Sequence, residues 1–308
     1  MTVTAPSNKT NRIRSVTIEG FRSLKNIQNL ELPPLTVLIG ANGAGKSTLI
    51  RFFEMLSGML KARNLQEFVL RHGGGDDQFF MGARATPMIR AEVWADLDGV
   101  SLKYGFELDY LPAKDSVLIR CEYWKRKQHD LLPDNAVRSF SGAALEPLLP
   151  EIDDSDAKAI CHFFSRCATY QFHDTSTLAN IHKRWDVTES FRLRSDGGNL
   201  AAVLLDLRKT DGKRYALIVK QIGRVLPAFK DFVLEEEAGK VLLRWVGRQS
   251  DKVFGSHLTS DGSLRLFCLL TLLSLPPERL PDVMFFDEPE LGLHPHAITL
   301  VAEMFKRL

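Results

Sequence analysis

Eight consecutive residues, Gly40-Ala41-Asn42-Gly43-Ala44-Gly45-Lys46-Ser47, constrain this chain more than any other feature. They satisfy the pattern G-x-x-x-x-G-K-S and follow a continuous apolar run, Leu35-Thr36-Val37-Leu38-Ile39. After them, Leu49, Phe52, Phe53, Leu56 and Leu60 recur at helical spacing. The run predicts a central strand covered on both faces, and the periodic segment predicts an amphipathic helix opening at Lys46. Glycines allow the backbone between them to turn its N–H groups inward around a phosphate chain, and the helix N-terminus adds partial positive charge there. In such a loop Lys46 reaches the β- and γ-phosphates and Ser47 ligates magnesium. Asn42, Gly43, Ala44, Gly45 and Thr48 complete the expected cradle. The bland alternative is a Gly-rich turn of no chemical meaning, and the flanking strand and helix argue against it.

Far downstream, Val283-Met284-Phe285-Phe286 is a short apolar strand that ends in Asp287-Glu288. A parallel sheet brings strand ends to one edge. Asp287 is therefore expected beside the phosphate loop as a magnesium ligand, with Glu288 orienting or deprotonating the attacking water. Without the loop, the same residues read as a strand ending in a solvated acidic turn at Pro289. About twenty residues earlier, Leu258-Thr259-Ser260-Asp261-Gly262-Ser263-Leu264-Arg265 leads into an apolar helix. Hydroxyl, glycine and helix N-terminus together form a second anion site. Ser260 and Gly262 then cap a γ-phosphate held by another subunit; the plainer reading is an ordinary N-cap by Ser260 or Thr259.

Around these motifs the chain is expected to be α/β. Ile13–Glu19 and Ile27–Leu32 have strand composition, the second stopping at Pro33-Pro34. Met88–Asp96, Leu102–Tyr110 and Val117–Trp124 predict an antiparallel meander with a turn at Asp98-Gly99. From about Asn135 to Leu226 helical pieces and irregular loops predominate. Phe232–Glu236 and Val241–Trp245 return to strand character, Ser263–Leu273 reads as a helix, and Pro295 opens a helix running to Leu308. The expected division is 1–130 as an N-terminal lobe, 131–257 as an inserted lobe, and 258–308 as the segment carrying the later motifs.

Composition excludes little. The 40 basic and 38 acidic residues are spread along the chain, so net charge neither requires nor rejects a polyanionic partner. The apolar stretch Leu266–Leu275 is only about half the roughly 20 residues needed to cross a bilayer, and Met1–Asn11 lacks the apolar core of a secretory signal. No membrane partner and a cytoplasmic location are expected. Four cysteines at irregular spacing imply reduced thiols, and the spacing of Cys161, His162, Cys167 and His173 fits none of the usual zinc patterns.

The opening Val16-Thr17-Ile18-Glu19-Gly20-Phe21-Arg22-Ser23-Leu24, the phosphate loop, Ser260-Asp261-Gly262-Ser263-Leu264-Arg265 and Asp287-Glu288-Pro289-Glu290-Leu291-Gly292-Leu293-His294-Pro295 together resemble the RecF/SMC-like branch of ABC ATPases. More narrowly, the chain is similar to bacterial AAA-type ATPases grouped with overcoming-lysogenization-defect and AbiEii-like proteins. Tyr170-Gln171-Phe172-His173-Asp174-Thr175-Ser176 and Gly197-Gly198-Asn199-Leu200-Ala201 extend the likeness over nearly the whole chain. The resemblance implies an ABC-type head with a mixed central sheet, an antiparallel β subdomain and an inserted helical lobe. It implies ATP and Mg2+ as cofactors and a homodimer or higher homo-oligomer closing around nucleotide. Ser260 and Gly262 then act in trans, and Glu290, Gly292 and His294 form a D-loop, with His294 among the nucleotide contacts. Arg22 and Ser23 resemble positions near the nucleotide in SMC-type heads. Gln78 reads either as a glutamine that senses magnesium or as a solvated loop residue.

The sequence departs from that pattern at Thr259, where leucine is common. Relatives also continue to a further strand carrying a switch histidine, and this sequence ends at Leu308. Either it is a fragment or hydrolysis proceeds, slowly, without that residue. The resemblance places the chain in DNA transactions or anti-phage defence, as a switch acting on DNA or an effector protein. Two other readings stand beside it: a non-hydrolysing scaffold that uses ATP to hold an assembly, and the motor subunit of a transporter.

Overall fold

Strict alternation decides the architecture of the first half. In the computed structural model, which describes residues 11–127 and 138–307, every second residue of Met88–Leu97 is buried, with Ile89, Ala91, Val93, Ala95 and Leu97 facing in. That period of two fits a sheet with one face on a core and the other toward water. The sheet has six strands: β1 (Arg12–Phe21), β2 (Leu24–Glu31), β3 (Met88–Leu97), β4 (Val100–Leu111), β5 (Ser116–Arg126) and β6 (Arg138–Ala144), in the order β2-β1-β3-β4-β5-β6. All neighbours are antiparallel. The β3–β4 connection is the expected Asp98-Gly99, both residues at positive φ (49° and 81°), as a tight hairpin turn of matching twist requires. On the outer face Lys103 pairs with Glu92 at 2.7 Å and lies 5.0 Å from the Trp94 ring centroid.

The inner face packs against α1 (Lys46–Ala62), α2 (Leu65–Arg71) and α3 (Ser155–Ser165). Leu49, Phe52, Phe53, Leu56 and Leu60 are all buried, as their spacing predicts. Glu122 lies within this apolar layer at 1% exposure. Its carboxylate accepts from the Tyr104 hydroxyl at 2.6 Å and from the Leu148 N–H at 2.7 Å, so the buried charge is hydrogen-bonded rather than orphaned.

Leu35–Ile39 departs from expectation. The run is extended but joins no sheet, and Leu35, Val37, Leu38 and Ile39 are 48, 72, 38 and 91% exposed. An apolar run becomes a central strand only where flanking strands take up its N–H and C=O groups and layers cover both faces. Among the described residues no strand pairs with it.

The chain forms two units, Met1–Ala168 with Asp282–Phe285 and Thr169–Pro281 with Phe286–Leu308. The division therefore falls at Ala168, later than the sequence suggested; the anticipated break at 130/131 lies outside the described residues. The apolar side of α3, with Ala157, Ile160, Phe163 and Phe164, belongs to the core beneath the six-stranded sheet. Two strands, β7 (Cys167–Tyr170) and one at Val283–Phe286, carry the chain between the units and pair with each other.

In the second unit, β8 (Trp185–Asp186), β10 (Glu236–Glu237) and β11 (Lys240–Val241) form one small sheet. A second is built from β9 (Phe229–Phe232), β12 (Arg244–Gly247) and β13 (Ser250–Gly255). The strand character read at Phe232–Glu236 and Val241–Trp245 is thus divided between two sheets. The helices are α4 (Leu200–Thr210), α5 (Gly212–Val225), α6 (Asp261–Leu272) and α7 (Pro295–Phe305), and Val283–Phe286 is β14. Phe267 of α6 meets Phe229 and Phe232 at centroid distances of 5.4 and 5.1 Å. That packing joins α6 to the inserted segment, where the sequence division had separated them. Gly197, at φ 72°, is needed for the same reason: a Cβ there would lie 2.5 Å from the Cys268 sulfur of α6. Asn199 beside it accepts from the Arg194 N–H and donates to the Glu189 and Arg192 carbonyls, fixing the loop before α4.

Candidate functional site

The phosphate loop lies in the first unit. Gly43 and Gly45 take φ of 79° and 94°, where a side chain is strained. At Gly45 a Cβ would also lie 2.6 Å from Leu24 Cδ2, so the position requires glycine twice over. α1 begins with no side-chain cap and no acidic residue in its first turn. Helix N–H groups without a protein acceptor attract an anion. The Lys46 ammonium turns back onto the loop, donating to the Gly40 carbonyl at 2.7 Å and the Ala41 carbonyl at 2.9 Å. No carboxylate holds it in these bonds, so it is available to a phosphate. Asn42, Gly43 and Ala44 are exposed, as is Ser47. This donor set fits a triphosphate: inward N–H groups, a helix N-terminus, one ammonium and a hydroxyl residue.

Ser23 and Arg22 border the loop. The Ser23 and Thr48 hydroxyls share a hydrogen bond of 2.6 Å, which ties the β1–β2 turn to the first turn of α1. Arg22 has φ 51°, and its guanidinium donates to the Gln78 side-chain oxygen at 3.1 Å and to the His72 carbonyl at 2.6 Å. Burial, then the neighbouring Arg51, hold the Arg22 pKa below its ordinary value. Gln78 is not the solvated loop residue of the second reading; it is 1% exposed. Its amide accepts from Arg22 and donates to the His72 and Gly74 carbonyls. To ligate a metal it would have to release the bond from Arg22.

The carboxylates lie in the second unit. Asp282 N–H donates to the Arg166 carbonyl at 2.9 Å and Asp287 N–H to the Tyr170 carbonyl at 3.4 Å. Both chains therefore advance in the same direction, and β7 and β14 are parallel. Their C-terminal ends emerge at one edge, the usual ligand side of a parallel pair. β14 is half-buried, not fully buried as its composition suggested. Glu288 follows it at φ 45°, an uncommon conformation for a residue with a side chain, and is exposed. Such backbone costs of order 1–3 kcal/mol and persists where surrounding structure enforces it. Tyr170, His173, Arg265, Asp287 and Glu288 line one cleft here.

Arg265 holds this edge together. Its three guanidinium nitrogens donate to the carbonyls of Phe172 (3.0 Å), His173 (3.2 Å) and Leu291 (3.0 Å). α6 is thereby tied to the loop after β7 and to the Glu290–Gly292 turn. Gly262 reinforces the contact, since a Cβ there would lie 2.2 Å from the Gly292 carbonyl. Ser260 does cap α6, accepting from the Ser263 N–H at 3.3 Å, and it remains exposed. Thr259 uses the hydroxyl that leucine lacks: it accepts from Trp245 Nε1 at 2.8 Å and donates to the Gly255 carbonyl. His294 caps α7 through Nδ1, which accepts from the His296 N–H.

Residues 35–308 match the family described as "AAA domain, putative AbiEii toxin, Type IV TA system". The chain belongs to this family. Among solved structures it is similar to the SmcHead bound to the C-winged helix domain of ScpA, with a TM-score of 0.58 and 13% identity over 96% of this chain and 85% of that one. At that identity the likeness shows the fold: an ABC-type P-loop ATPase head of mixed α/β structure, as the motifs implied. No curated protein matches. Among the described residues no helix is long and apolar enough to cross a membrane.

Two features of this AAA domain escaped the sequence reading. Arg265 was noted only as part of a motif, although its guanidinium joins three loops. His173 was noted only within a family-like stretch; its place just past an apolar strand, at the edge shared with Asp287, is the signal that singles it out.

Proposed function

We propose that this AAA domain is an ATP-gated switch that binds Mg·ATP at Gly40–Thr48, hydrolyses it slowly with Glu288, and closes against a second copy while nucleotide is bound. The observation that carries the reading is the N-terminus of α1: no protein acceptor caps it, no acid lies in its first turn, and Lys46 rests only on loop carbonyls. A triphosphate supplies what that arrangement lacks. Lys46 leaves the Gly40 and Ala41 carbonyls for the phosphates, and the backbone N–H groups of Asn42 to Thr48 follow it.

Ser47 and Asp287 are the residues that would hold magnesium, which when bound neutralises charge on the β- and γ-phosphates. Glu288, projecting from a left-handed residue into the cleft, orients the attacking water or accepts its proton. Ser260 and Gly262 cap the γ-phosphate of a second subunit. Exposed Ser260, with Leu258 at 57% and Leu291 at 43% exposure, supplies a partly apolar face for that copy. Arg22 and Ser23 support the loop from the β1–β2 turn, Gln78 fixes Arg22, and His294 fixes the start of α7.

Closure changes what the head presents to an effector protein or to DNA, in a bacterial defence setting consistent with the toxin–antitoxin description of the family. The test is ATP turnover and binding by the native chain and by Glu288→Gln. The expected result is a turnover lower by roughly 10²–10³-fold with ATP affinity retained. A native chain that binds ATP but turns over no faster than the variant removes hydrolysis from the proposal.

A further inference from the structure

We infer that His173 is a further residue of the nucleotide site, donating a hydrogen bond to the γ-phosphate. The inference rests on the reading above, in which Asp287 and Glu288 face that phosphate. Because β7 and β14 are parallel, the chain leaving Tyr170 and the chain leaving Phe286 emerge at the same edge, and His173 lines the cleft that holds both carboxylates. Two carboxylates repel a phosphate, so donors in the same cleft have a strong effect on what it accepts.

The candidate donors lining the cleft are Tyr170, His173 and Arg265. Each nitrogen of Arg265 already donates to a backbone carbonyl, and the Tyr170 hydroxyl is directed at the Leu193 carbonyl. Among the described residues the His173 ring makes no hydrogen bond. His182 shows the contrast: its ring is held between the Ser256 hydroxyl at 2.9 Å and the Thr175 carbonyl at 3.3 Å, as befits a packing histidine. The backbone of His173 is nevertheless fixed, since Arg265 binds its carbonyl and that of the buried Phe172. A half-buried ring on a fixed backbone, uncommitted and beside two carboxylates, is placed to serve a ligand rather than the fold.

Calorimetry with ADP and with the nonhydrolysable analogue AMP-PNP, both with magnesium, tests this without relying on turnover. His173→Ala is expected to weaken AMP-PNP by roughly 10- to 100-fold, the worth of a hydrogen bond to a charged group, and to leave ADP within about threefold. His173→Gln, which keeps an N–H donor, is expected to recover most of the loss. Unchanged AMP-PNP affinity in both variants, or equal weakening of both nucleotides, overturns the assignment to His173 alone. A native chain that binds neither nucleotide overturns the proposed function as well.

Discussion

Leu35-Thr36-Val37-Leu38-Ile39 and Val283-Met284-Phe285-Phe286 look alike as sequence: each is an apolar run that delivers the chain to a charged motif. In the structure they differ. The later run is a strand, parallel to β7, with Phe285 stacked on Phe53 at 4.5 Å and Phe286 at 5.5 Å from Tyr170. The earlier run pairs with nothing described and leaves Ile39 91% exposed. Hydrophobicity marks a segment as able to be covered; only a neighbouring strand and a facing layer make it a strand. The consequence for the site is that the carboxylate edge is held by a strand pair and by Arg265, whereas the phosphate loop is held mainly from its helix side, through Gly45 on Leu24 and Ser23 on Thr48.

The comparison can be broken by substitution. Phe285→Ala removes a ring stacked on the buried Phe53 and is expected to lower stability by about 2–3 kcal/mol in denaturant unfolding, less than a fully buried phenylalanine because Phe285 is half-buried. A loss below about 0.5 kcal/mol would mean that β14 is not anchored on α1. The smallest effect is expected at the other run: Ile39→Ser should change stability by no more than about 0.5 kcal/mol, as at other exposed positions. A loss there matching that at Phe285 would show that the run is covered in solution.

What the sequence made legible follows the range of the interaction. Strands β3 to β5 were readable because alternation and the Asp98-Gly99 turn are local, and α1, α6 and α7 were readable from their periodicity, the last two also from Ser260 and Pro295 at their starts. The phosphate loop was legible because its glycines answer to local backbone geometry. The parallel pairing of β7 with β14 was not, since Arg166 and Asp282 stand 116 residues apart. Nor was the role of Arg265, whose three acceptors lie in two loops distant in sequence. The left-handed backbone at Glu288 carries no sequence mark, because glutamate is not a residue that favours it.

The central claim is that Lys46 and Asp287 serve a single Mg·ATP. A calorimetric double-mutant cycle tests it directly, with Mg·ATP titrated into the native chain, Lys46→Ala, Asp287→Asn and the double variant. The account predicts binding by the native chain, large losses in each single variant, and a double variant only about threefold weaker than the worse of the two, because the residues act on one ligand. Losses that add in full, or a native chain giving no heat with Mg·ATP, would contradict it.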